Sequence, residues 1–155
     1  MEKIKKSKKK KKKNKMLKTS AGILIVHQDK LLLAHSTNSP WWRSYTPPKG
    51  GIEKGETSKE AASREVYEEV GIFIHPDQLD EKVDVEYRNP KGKLYKIVHL
   101  YIYEISSYKE IGLESGQVPF SQLQLEEIDE ARFMNKEEVE KKILPRYLDY
   151  VLSYI

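Results

Sequence analysis

The sequence predicts an α/β sandwich, and three features carry that expectation: apolar runs paired across turns, one capped amphipathic helix among them, and a helical C-terminus. With 155 residues the chain is long enough for one domain with its own core and too short for two of ordinary size.

Residues 1–18 stand apart. They hold eleven lysines, six of them consecutive at 8–13, against the single acid Glu2, so this stretch carries +10. The remaining 17 basic and 23 acidic side chains leave the rest of the chain at −6. Like charges at that density repel and offer little apolar surface to bury, so the segment is expected to be a disordered tail. It reads equally as an arm for RNA or another polyanion, as a nuclear-import signal, and as a plain solubilising extension.

The folded domain is expected over residues 19–155. Residues 21–26 form an apolar run that turns at Gln28, Asp29 and Lys30 into a second run at 31–34, the pattern of a buried hairpin. Residues 36–48 are rich in Ser, Asn and Pro and read as a loop, and 50–55 supply three glycines in an irregular segment. A helix follows. Thr57 with Glu60 makes a capping box, Ala61, Ala62, Val66 and Val70 keep a helical apolar spacing, and Gly71 is placed to end it. Residues 72–74 and 83–87 read as strands, and the turn at 89–92 leads into a long strand over 93–103. Residues 106–128 are weakly patterned, 131–134 read as a short strand, and 136–143 and 146–155 as helices separated by Pro145.

Composition removes several function classes. The chain has no cysteine, which excludes disulfides, thiolate metal sites and cysteine nucleophiles. No stretch reaches the eighteen or so apolar residues of a membrane span, and no apolar segment follows the N-terminal charges as in a secretory signal. The expectation is a soluble protein without membrane contact, cytoplasmic by default and nuclear if the tail is an import signal.

Chemistry concentrates on the predicted helix. At 100° per residue Glu65, Glu68 and Glu69 share one face, where each like-charge pair costs an isolated helix roughly 0.2–0.5 kcal/mol. A divalent cation reverses that sign, and hard ions such as magnesium take carboxylate and carbonyl oxygens. The plain alternative is a solvated acidic face with Arg64 in ordinary surface ion pairs.

The loop before the helix decides between them. Gly50, Glu56, Arg64, Glu65, Val66, Glu68, Glu69, Gly71 and Ile72 match the type and spacing of nine positions across 23 residues, and this segment resembles the catalytic box of the Nudix hydrolases. The likeness extends at fold level over residues 19–144. It implies a Nudix-type α/β/α sandwich with a mixed β-sheet, and an enzyme that cleaves a diphosphate linkage with water. It further implies magnesium, with manganese as a substitute, held by Glu65, Glu68, Glu69 and a backbone carbonyl at Lys49 or Gly50. Glu56 is expected close to the metal, and Arg64 is expected to orient the glutamates. The general base is expected to be Glu69 or Glu65. Glu127 sits where some relatives place a further ligand or base, and reads equally as a surface acid.

The substrate must be argued from outside the box. Thr46, Pro47, Pro48, Lys49 and Gly50, preceded by Tyr45, are similar to the stretch before the box in diadenosine tetraphosphate hydrolases, although Gly51 stands where animal-type members carry histidine. Lys49 is a candidate contact for the extra phosphates. Trp42, with Trp41 and Tyr45, is favoured over the strand tyrosines as a platform for a nucleotide base. His27, His35, His75 and His99 read as structural or surface residues. The leading expectation is a dinucleoside polyphosphate hydrolase; the alternatives are an RNA 5′-pyrophosphohydrolase or decapping enzyme, and a non-catalytic polyanion-binding module.

Overall fold

The computed structural model describes residues 17–155. Most of the expected disordered tail lies outside the described residues, but Lys18 already belongs to the first strand, so the fold begins one residue earlier than anticipated.

Strands β1 (Lys18–His27) and β2 (Lys30–Ser36) form the predicted hairpin, with Val26 opposite Leu31. Two short strands follow, β3 (Tyr45–Thr46) and β4 (Lys49–Gly51), and then helix α1 (Ser58–Val70). The α1 cap is the anticipated box: Glu60 N–H donates to the Thr57 hydroxyl at 3.1 Å and Thr57 N–H to the Glu60 carboxylate at 2.9 Å. Gly71 ends the helix in a left-handed conformation at φ 69°. Strands β5 (Glu81–Arg88) and β6 (Leu94–Ile105) make the second hairpin. Its turn is held by the Asn89 side chain, which accepts from Lys91 N–H and Lys93 N–H at 2.9 Å each. Strand β7 (Ile128–Asn135), α2 (Lys136–Lys142) and α3 (Pro145–Val151) complete the chain. Among the described residues no helix is long and apolar enough to cross a membrane.

All seven strands join one mixed sheet of order β3-β2-β1-β6-β5, with β4 added to β1 and β7 to β2. The long β1–β6 pairing is parallel and the others are antiparallel. Alternation along β1 sends Ala21, Ile23 and Ile25 to one face, where they pack with Ala61, Ala62, Val66 and Val70 of α1. Leu24 and Val26 face the other way, against Val139, Tyr147 and Val151 of α2 and α3. The result is the expected α/β/α sandwich.

Two expectations change. Residues 72–74 form no strand: Ile72 and Ile74 are buried beneath α1, and Ser63 Oγ donates to the Ile74 carbonyl at 2.5 Å, so a helix side chain satisfies the backbone where a neighbouring strand was expected. The second C-terminal helix stops at Val151 and tightens into a 3₁₀ turn at Leu152–Tyr154.

One detail of the sheet places the functional loop. Along the same edge β1 pairs with β2 at its end and with β4 at its beginning, where Ala21 lies opposite Gly50. Gly22 permits this, because a Cβ there would lie 2.3 Å from the Pro48 carbonyl oxygen. The glycine turn is thereby drawn under the acidic face of α1.

Candidate active site

Arg64 is the hub of that face. Its Nε donates to Glu56 Oε2 at 2.6 Å and its Nη2 to Glu56 Oε1 at 2.9 Å, a two-point fork. Nη1 donates to Glu65 Oε1 at 3.0 Å and to Glu68 Oε2 at 3.1 Å, and Nη2 reaches the Gly51 carbonyl at 2.9 Å. One guanidinium therefore fastens the glycine turn to the helix. These bonds hold the Glu56 carboxyl below its ordinary range.

Glu65 lies flat on the turn. A Cβ built at Gly50 would stand 2.0 Å from Glu65 Oε2 and 2.1 Å from its Cδ, so only glycine leaves room for the carboxylate. Gly50→Ala is expected to fold, since the displaced group is the end of a flexible side chain, and to lower kcat/KM roughly tenfold by moving Glu65. Steady-state kinetics beside a thermal melt checks both parts.

Glu69 is the most deeply placed of the three helix acids. Its Oε1 accepts from Lys49 N–H at 3.2 Å. Burial, opposed by Lys49 and reinforced by the charges of Glu65 and Glu127, pushes its pKa from 4.5 up to about 8. Burial also raises Glu65, against the pull of Arg64, with Glu68 and Glu127 adding to the rise. Glu127 thus belongs electrostatically to this group. Its loop is held there by Gln124 N–H donating to the Glu69 carbonyl at 3.0 Å and Thr37 N–H to the Glu127 carbonyl at 2.8 Å.

Among the described residues no three acidic or imidazole side chains already converge as a finished coordination sphere, because Arg64 draws Glu56, Glu65 and Glu68 toward itself. The donor set nevertheless fits a hard divalent cation. Burial holds both Glu65 and Glu69 above their ordinary pKa, a cost that a bound cation would offset, and Gly50 leaves a cradle against Glu65.

Of the expected substrate contacts, Trp42 is 74% exposed, with the Arg43 guanidinium carbon 5.2 Å from its ring centroid. Lys49 stands beside Gly50 on β4. Tyr45 requires a correction. It lies in β3, not a loop, and is 1% exposed within the core under α2 and α3, so its ring has no face for a ligand. The Trp41 ring is likewise engaged, stacked on His35 at 3.9 Å and 4°. His35 is itself buried between Asp129, 2.6 Å from Nδ1, and the Pro40 carbonyl, 3.0 Å from Nε2. A polar residue in phase with Leu31 and Leu33 was the signal for that anchor.

A family model described as the NUDIX domain matches residues 16–153. The chain belongs to the Nudix family. Members of this family generally use divalent metals such as magnesium. The chain is 30% identical over 132 residues to the m7GpppN-mRNA hydrolase of Saccharomyces cerevisiae, covering 85% of this chain and 12% of that protein. It is 32% identical over 77 residues to the ADP-ribose pyrophosphatase of Methanocaldococcus jannaschii, covering 50% of this chain and 46% of that one. It therefore spans less than half the length of either relative. The crystal structure of a MutT NUDIX hydrolase from Burkholderia pseudomallei superposes with a TM-score of 0.61 at 16% identity, covering 90% of this chain and 98% of that one, which establishes the shared Nudix fold.

Proposed function

We propose that this Nudix domain hydrolyses a diphosphate linkage in a nucleoside polyphosphate, with a dinucleoside polyphosphate of the diadenosine tetraphosphate type as the leading substrate. The observation that carries the reading is the seating of Glu65 and Glu69 against the glycine turn, Glu65 in the space that a Cβ at Gly50 would take and Glu69 accepting from Lys49 N–H at 3.2 Å, with the Glu127 charge acting on both. Glu65, Glu68, Glu69 and the carbonyl of Lys49 or Gly50 would hold magnesium, with Glu127 beside them. Bound there, the ion supplies charge at the phosphoryl oxygens and lowers the pKa of the attacking water. Glu69, which gives up its own proton when the ion binds, would then take the proton of that water. Arg64 holds the carboxylates in register, and Trp42 offers an open face to a base.

The intact box argues against a non-catalytic module. A second reading, cleavage at an RNA 5′ end, is favoured by the eleven lysines of residues 1–18 and by the breadth of the likeness to the yeast mRNA hydrolase. Turnover on a dinucleoside tetraphosphate and on 5′-triphosphorylated RNA, with and without residues 1–16, separates the two. The leading reading expects magnesium-dependent cleavage of the dinucleotide that is indifferent to the tail. RNA cleavage that dominates, and that falls and loses its salt dependence on truncation, would replace it.

A further inference from the structure

His35 is 1% exposed, yet both of its ring nitrogens meet oxygen acceptors: Asp129 Oδ1 lies 2.6 Å from Nδ1 and the Pro40 carbonyl 3.0 Å from Nε2. A neutral imidazole has one N–H to give, so both contacts are hydrogen bonds only when the ring carries two protons and Asp129 serves as its counter-ion. A buried ion pair adds little net stability over an apolar pair of the same size, so the informative point is the geometry that it fixes.

What it fixes is the loop over 37–44, which carries both tryptophans of the chain. The Pro40 carbonyl accepts from His35 Nε2–H and from the Ser44 hydroxyl together. The Trp41 ring lies on the imidazole at 3.9 Å and 4°, cation against indole face. On either side of this footing Asn38, at φ 73°, and Arg43, at φ 48°, are left-handed without being glycine, a conformation that persists only where surrounding contacts impose it. Trp42 is thereby left standing out, 74% exposed, with the Arg43 guanidinium carbon 5.2 Å from its ring centroid.

Hydrogen bonds carry this loop through to the acidic helix. Thr37 donates its N–H to the Glu127 carbonyl at 2.8 Å and its hydroxyl to the Leu125 carbonyl at 2.9 Å. Glu127 N–H donates to the Gln124 carbonyl at 2.8 Å, and Gln124 N–H to the Glu69 carbonyl at 3.0 Å. Asp129, on the far side of His35, follows in the same segment as the second residue of β7. The tryptophan loop and the backbone of Glu69 therefore hang on one turn.

We propose that His35 is a positioning residue: locked between Asp129 and the Pro40 carbonyl, it seats Trp41 and so presents the Trp42 ring beside the catalytic acids as a stacking platform for a base of the substrate. The assignment rests on the nucleoside polyphosphate reading and deepens it, placing recognition of the nucleoside in the 37–44 loop. An indole face accepts any flat base, so the platform demands a nucleoside without choosing among bases.

The test compares the full chain with His35→Gln, which leaves one acceptor and the Asp129 charge unmatched, and with Trp41→Leu, which removes the footing at the surface and stands in if the first variant does not fold. Trp42→Leu and Trp42→Phe bracket the platform itself. On diadenosine tetraphosphate, KM is expected to rise about tenfold in the first three variants at nearly unchanged kcat, with Trp42→Phe close to wild type. The emission of Trp41 and Trp42, the two tryptophans of the chain, reads binding without turnover. In the Glu69→Gln chain with magnesium, diadenosine tetraphosphate should quench that emission, and adding His35→Gln or Trp41→Leu should weaken the binding about tenfold while calorimetric affinity for inorganic tripolyphosphate is unchanged. A loss carried in kcat, an unchanged KM in either variant that folds, an absence of quenching, or an equal loss of tripolyphosphate affinity overturns the assignment. If the wild-type chain does not hydrolyse diadenosine tetraphosphate, the hydrolase reading fails while the quenching titration still decides the role of His35.

Discussion

Replacing Glu69 with glutamine is expected to lower turnover by about 10²- to 10⁴-fold, the range that loss of a positioned general base produces. The substitution preserves shape and the hydrogen bond from Lys49 N–H, so the fold should survive. A second consequence follows from the raised pKa. In the folded chain Glu69 holds its proton up to about pH 8, against an ordinary value of 4.5. Between those limits the native state binds more protons than the unfolded chain, so this group's contribution to stability is complete below about 4.5 and is lost as pH rises toward 8. The magnesium-free protein should therefore melt at lower temperature at pH 8 than at pH 5, and Glu69→Gln should remove that part of the slope. Melts in chelator across this range check the sign; a wild-type slope unchanged by the substitution would contradict the assignment.

Arg64→Ala is expected to combine a loss of stability with a loss of activity. Its guanidinium is only about a quarter exposed, and it joins Glu56, Glu65, Glu68 and the Gly51 carbonyl. Removing it leaves partly buried carboxylates unpaired, which costs about 2–4 kcal/mol once solvent access is allowed for. Because the turn and the glutamates then lose their common support, kcat/KM should fall a further 10- to 100-fold in the molecules that remain folded. Arg64→Lys should recover part of the stability and little of the activity, since a point charge cannot reproduce the two bonds to Glu56. Denaturant melts with kinetics at saturating magnesium separate the two losses. Activity retained in Arg64→Ala would reduce the residue to an ordinary surface ion pair.

The helix and its acids were legible because their signals are local. Thr57 and Glu60 announce the start of α1 within four residues, Gly71 its end, and the spacing of Glu65, Glu68 and Glu69 puts them on one face without reference to the rest of the molecule. The Val26–Leu31 hairpin is local in the same sense. What could not be read depends on distant partners. The parallel β1–β6 pairing joins residues 78 positions apart, and β4 has only three residues and no apolar pattern. Residues 72–74 carry a strand's alternation yet find a helix side chain as their hydrogen-bond partner.

The site divides along the same line. Glu127 joins Glu65 and Glu69 only because the 124–127 turn is tied back to α1 and to Thr37, contacts between segments remote in sequence. Tyr45 follows a loop rich in polar residues but is covered by helices formed about a hundred residues later.

The most direct measurement is a calorimetric titration of magnesium into the full chain at pH 7 in two buffers of different ionisation heat. Glu69, with a pKa of about 8, is mostly protonated there, so uptake of the ion should release about one proton per chain, and Glu69→Gln should abolish that release. Magnesium binding without proton release, or an identical release from the glutamine variant, would contradict a metal centre built on these crowded carboxylates.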